Sequence, residues 1–282
     1  MPLTKLQFRP GINRDVTSYT NEGGWRDCDK VRFRLGYPEK VGGWQKYSSS
    51  TYLGSARSLH NWVALDGSNY LGIGTHLKYY IEEGQTFNDV TPIRSTTSAG
   101  DVTFSATNGS STITITDSAN GANQFDFVTF SGAASLGGNV TAAVLNQEYQ
   151  IQRLVSSNQY EITVSVTANG SDSGNGGSST VGTYQINTGL DTSVGGTGWG
   201  AGTWGRDGWG DAASGGLTTE VELRIWSHDN FGEDLIINPR DSGLFYWDRT
   251  AGTGQRAVAL NTLTGTKRSI PTIAKQILVS DQ

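Results

Sequence analysis

The chain is poor in several things at once, and each shortage excludes a class of protein. Cys28 is the only cysteine among 282 residues, so neither an internal disulfide nor a cysteine-rich zinc site can form. Prolines number six against 38 glycines, which excludes a collagen-like or proline-rich disordered chain. Charged residues reach only 17%, and no long segment carries the apolar period of a helix, so a helical bundle is excluded. Basic residues are in deficit, with a net charge of −5 and a sequence pI near 5.2. Proteins that grip nucleic-acid phosphates usually carry the opposite excess, whereas a mildly acidic wall lets DNA slide. The opening MPLTKLQFRPG has no apolar core of signal-peptide length, and no run is long enough to span a membrane. Synthesis and folding in a cytoplasm are therefore expected, and the acceptor-like triplets at Asn108, Asn139 and Asn169 read as turns.

What is present is glycine, threonine and aromatics in short alternating runs. Val31, Phe33 and Leu35 alternate with Arg32 and Arg34, which places apolar side chains on one face and guanidinium groups on the other. Gly36-Tyr37-Pro38 is expected to break that strand, because Pro38 has no N–H for a ladder. Leu59–Leu65 and Tyr70–Ile73 flank Asp66-Gly67-Ser68-Asn69, a hairpin signal. Leu77–Ile81, a turn at Glu82–Gln85 and Thr86–Val90 follow. Three or four antiparallel strands in such a span is about the length of one β-propeller blade.

The pattern returns late in the chain. Leu235–Asn238 parallels Tyr70–Ile73, and Gly243–Asp248 parallels His76–Ile81. Pro271–Val279 reads as the start of a third unit, so the propeller is expected to be incomplete within this chain. Its missing blades would come from residues absent here or from neighbouring subunits. Between the copies lie several short strands: Thr112–Thr116, Phe127–Phe130, Tyr149–Val155 paired with Tyr160–Val166, and Val181–Ile186. They predict a small closed β-barrel inserted in a loop. The fold class is thus all-β, a partial β-propeller with an inserted small β-barrel. The divisions are 1–93 (arm and first propeller strands), 94–190 (barrel) and 191–282 (Gly/Trp loop and further blades).

The opening supports a family resemblance. Pro10-Gly11-Ile12, Gly23-Gly24-Trp25, Asp27 and then VRFRLGYPEKVGGW over Val31–Trp44 resemble the N-terminus of tail nozzle (tail tubular, head-to-tail hub) proteins of short-tailed bacteriophages. The likeness is good over roughly residues 9–95 and looser beyond. LNQEYQI and NQYEITV are similar to segments of a barrel insertion in some relatives. The resemblance implies a structural protein of the virion tail rather than an enzyme. It implies a homo-oligomer, a hexameric ring, docked to an adaptor protein and contacting tail fibres or spikes. DNA would pass through the channel without sequence-specific binding, and no cofactor is implied.

Candidate residues are few. Arg32, Arg34, Arg224 and Arg240 are read as inter-subunit salt bridges, since the planar guanidinium fork favours interfaces. Trp199, Trp204 and Trp209, each followed by glycine, suit either a contact ribbon or a glycine loop pinned by its own aromatics. As stacking platforms they would support an alternative, a carbohydrate-binding β-module. Ser227-His228-Asp229 has the letters of a catalytic triad, but neighbours on a strand point to opposite sides. His60, His76 and His228 are not spaced as a metal pair. Glu82-Glu83 reads as the charged tip of a hairpin rather than half of a glycosidase pair.

Overall fold

Antiparallel strands dominate the computed structural model, which describes residues 8–192, 223–263 and 269–280. The chain divides into two compact units, residues 1–49 and 50–282.

In the first unit β1 (Val31–Arg34) pairs with β2 (Tyr37–Lys40), with Arg34 opposite Tyr37 and Phe33 opposite Pro38. The turn is Leu35-Gly36, with φ of 51° and 85°, the signature of a tight two-residue hairpin. Pro38 therefore lies inside a strand instead of breaking one. Register explains this. In such a hairpin the pair flanking the turn is hydrogen-bonded, so the next pair, Phe33 with Pro38, is not, and the missing N–H falls where no ladder bond is due. The rest of its described residues are irregular. Trp25 packs on Phe8 and Phe33, with ring centroids 5.8 and 6.2 Å apart.

The second unit opens with a four-stranded meander, β3 (Ala56–Val63), β4 (Asn69–Thr75), β5 (Tyr79–Glu83) and β6 (Thr86–Asp89). Asp66 sets the first turn by accepting the Ser68 N–H at 2.9 Å. Gly84-Gln85 forms the β5–β6 turn, so Glu82 and Glu83 end a strand and are not a solvated tip. Glu82 is buried and accepts the Gln85 N–H, while Glu83 accepts the Tyr70 hydroxyl at 3.1 Å.

Next come β7 (Ile93–Thr96), β8 (Thr103–Ala106), β9 (Thr112–Thr116), β10 (Phe127–Ser131), a short helix α1 (Ala142–Leu145), β11 (Glu148–Gln150), β12 (Arg153–Ser156), β13 (Gln159–Thr163) and β14 (Val181–Gln185). They form two open sheets, ordered β11-β10-β14-β7 and β12-β13-β9-β8. One hydrophobic core joins the two: Phe104 meets Phe130 edge-on at 5.0 Å, and the Tyr160 and Tyr184 hydroxyls lie 2.7 Å apart. The run Tyr149–Val155, expected as one strand beside Tyr160–Val166, is cut in two. β11 joins β10, whereas β12 joins β13, and the buried Ile151 sits at the corner.

A second meander closes the described chain: β15 (Trp226–Phe231), β16 (Asp234–Pro239), β17 (Phe245–Trp247) and β18 (Val258–Ala259). Its second and third strands hold Leu235–Asn238 and Phe245–Trp247, in the order in which β4 and β5 hold Tyr70–Ile73 and Tyr79–Ile81. Residues 271–279 form no strand. Their backbone is clipped to β15 by side chains, with the Ile277 N–H donating to Ser227 Oγ at 3.1 Å and the Val279 N–H to the Asp229 carboxylate at 2.9 Å.

Candidate functional site

The two meanders share one core, and their seam is aromatic. Tyr79 of β5 meets Trp226 of β15 edge-on at 5.0 Å, and Trp62 of β3 meets Trp247 of β17 at 6.2 Å. Indole N–H groups cross the seam: Trp226 donates to the Thr75 carbonyl at 2.6 Å and Trp62 to the Glu233 carbonyl at 3.2 Å. Such packing leaves no room for side chains at two β4 positions. A Cβ on Gly72 would strike the Tyr79 hydroxyl, and one on Gly74 would strike the Trp226 ring.

Polar groups fix the same seam. His60 Nε2 lies 2.6 Å from Asn230 Oδ1, and His228 Nδ1 lies 2.9 Å from the Tyr79 hydroxyl. The His60 and His228 rings are 5.0 Å apart. Burial, then the neighbouring His60, pushes His228 down to about 4. At the rim, Arg249 pairs with Asp66 and lies 3.6 Å from Glu233, which also accepts the Leu65 N–H at 2.6 Å. The turns of the two first hairpins are clasped by these contacts.

A second charged cluster sits where the first meander meets the middle sheets. Lys78 is 1% exposed, yet its Nζ lies 2.7 Å from Asp89 and 2.6 Å from Glu148, above the Phe127 ring at 4.4 Å. Arg256 joins the same two carboxylates. Burial pushes the Asp89 carboxyl up, but Lys78 and Arg256 outweigh it and hold it below the ordinary value. A buried cation with two counter-charges joins the elements that carry them.

The residues singled out from sequence are scattered. Arg32 pairs across its hairpin with Glu39 at 3.1 Å, and Arg34 is exposed on the same face. Arg224 is turned inward: it donates to the Asn187 carbonyl at 3.0 Å and lies over the Trp226 ring at 5.9 Å. Burial lowers its pKa, against the attraction of Asp126. Arg240 lines a cavity of about 250 Å³ with Lys275, Trp226 and Ser227. Trp199, Trp204 and Trp209 lie outside the described residues. Ser227, His228 and Asp229 bond to different neighbours, Ile277, Tyr79 and Val279, and form no relay. No group of three or more His, Cys, Asp or Glu residues suited to a metal ion occurs among the described residues.

Sequence reasoning missed the Lys78 cluster, the His60–His228 seam and the state of the first unit. The only sign of the first was a lone lysine between Leu77 and Tyr79-Tyr80. No apolar side chain from Phe8 to Ser49 is buried, while Trp44 is fully exposed, Leu35 92% and Tyr37 74% exposed.

No protein-family profile matches the chain, and no curated protein matches it. Among solved structures, one similar chain is a phage phi92 endosialidase, 13% identical, aligned over 78% of this chain with a TM-score of 0.24. The chain spans only 39% of that protein's length.

Proposed function

We propose that the protein is a structural, self-assembling component of a short phage tail, a nozzle or hub subunit that forms a ring around the DNA channel. The observation that carries this reading is the pair of four-stranded meanders stacked through Trp62, Tyr79, Trp226 and Trp247. In this reading they are two blades of a partial propeller, with β3 and β15 as neighbouring first strands. The two open sheets of residues 93–185 take, in this reading, the place of the inserted domain expected as a small barrel. The opening resemblance over Val31–Trp44 supplies the family. A blade stack exposes an outer sheet face at each end, and on β3 that face carries Leu59 and Val63, both largely exposed. Exposed apolar faces of this kind favour assembly. The mechanism is mechanical: rigid subunits frame a channel, and a net negative charge keeps DNA mobile. The ring would dock to an adaptor and hold fibres or spikes in the virion tail.

Native mass spectrometry with negative-stain imaging of the full chain tests the reading. A closed ring with a central hole supports it. A monomer that persists at high concentration overturns it.

A further inference from the structure

We propose that residues 8–49 are an intersubunit arm that docks on the acidic second unit of another copy of this chain. The inference rests on the self-assembly proposed above and names the element that makes the contact.

The first argument is the missing core. A compact segment of this length is held together by buried apolar surface or by a partner. Here no apolar side chain from Phe8 to Ser49 is buried, and the aromatic contacts within the unit are limited to Phe8, Trp25 and Phe33. Tyr19, Leu35, Tyr37, Trp44 and Tyr47 all face water. An apolar surface of that extent marks a contact site.

The second argument is the hairpin tip. Leu35 sits at φ 51°, where asparagine or glycine is the ordinary choice. A leucine there combines an unfavourable backbone with an unfavourable exposure. Neither helps the isolated hairpin; both are offset when the tip enters an apolar surface.

The third argument is charge. Residues 1–49 carry nine Lys or Arg against five Asp or Glu, a net of +4. Residues 50–282 carry twelve against twenty-one, a net of −9. The overall −5 therefore hides a basic arm and an acidic body, and Arg32, Arg34 and Lys40 flank the exposed Leu35 and Tyr37. Opposite charge of this kind selects the acidic unit of a second copy as the occupant and steers the encounter. The apolar counterpart on that unit is the outer row of β3 and its turn, Leu59, Val63 and Leu65.

The test uses the full chain. A photo-crosslinker replaces Trp44 in an equal mixture of ordinary and ¹⁵N-labelled protein, and sedimentation compares wild type with the triple variant Leu35→Ser, Tyr37→Ser, Trp44→Ser. Expected are mixed-isotope cross-links from position 44 to residues around Leu59–Leu65, and assembly weakened by at least about tenfold in the variant. Wild-type assembly should also weaken as salt rises from about 0.05 to about 0.5 M. Cross-links confined to single-isotope pairs overturn the inference, as does a variant that assembles like the wild type; in both cases the ring reading survives. A wild-type chain that never assembles overturns the ring reading itself.

Discussion

Tyr79 and His228, on facing sheets, lie 2.9 Å apart through the phenol oxygen and Nδ1. With Nδ1 bare the phenol donates to it, and with Nδ1 protonated the phenol oxygen accepts, so the tautomer decides the direction of the bond. Burial, then the neighbouring His60, favours the neutral imidazole by pushing it down to about 4. The seam between the meanders therefore favours the uncharged histidine.

Stability should fall as the solution is acidified through the histidine range. His228 has a lower pKa folded than its ordinary 6.5. Its contribution is complete above 6.5 and is lost as pH drops toward about 4. The difference is expected to be on the order of 2 kcal/mol, allowing for partial exposure. Urea unfolding of wild type and His228→Gln at several pH values checks this. A variant with the same slope between those limits would remove the histidine from the account.

Gly72→Ala should destabilise by about 1–3 kcal/mol, because its Cβ strikes the Tyr79 hydroxyl. Tyr79→Phe removes the struck atom. The double variant should then recover part of the loss, with a coupling on the order of 1 kcal/mol. Strict additivity in a thermal double-mutant cycle would mean that the strain lies elsewhere.

Lys78→Met should cost about 3 kcal/mol or more, since it leaves Asp89 and Glu148 with Arg256 alone in a buried site. The variant should also lose part of its acid dependence. Asp89 titrates below its ordinary value when folded, so its contribution is present above that value and disappears as pH falls through the folded one. Chemical unfolding at neutral and at low pH reads both effects.

Leu35→Asn separates local comfort from assembly. Asparagine accepts a positive φ more readily than leucine, so the hairpin should gain a few tenths of a kcal/mol. Assembly should weaken at the same time. Hairpin amide protection and sedimentation, measured on the same sample, check the opposite signs.

Much of the local structure was legible in the residues themselves. Thr112–Thr116 alternates, and β9 buries Ile113 and Ile115 with threonine between them. Asp66-Gly67 marked the first turn, and Tyr70–Ile73 and Leu235–Asn238 each fell on the second strand of a meander. Such features depend on neighbours a few residues apart, and alternation and turn chemistry record those directly. The same local rules failed wherever a distant element intervened. Nothing in LNQEYQIQRLV marks the corner at Ile151, because the change of sheet is decided by β10 on one side and β13 on the other. Pro38 was misjudged because its tolerance depends on which pair of a ladder it occupies. Glu82, Lys78 and Arg224 carry charges that composition assigns to the surface. Tertiary packing buries the first two and folds the third inward, and their partners lie 3 to 70 residues away. The sequence by itself determined an all-β chain of short strands with two similar meanders. Only the tertiary structure decided which charges became joints and left residues 8–49 without a buried apolar side chain, because burial belongs to the whole set of neighbours and not to any stretch of chain.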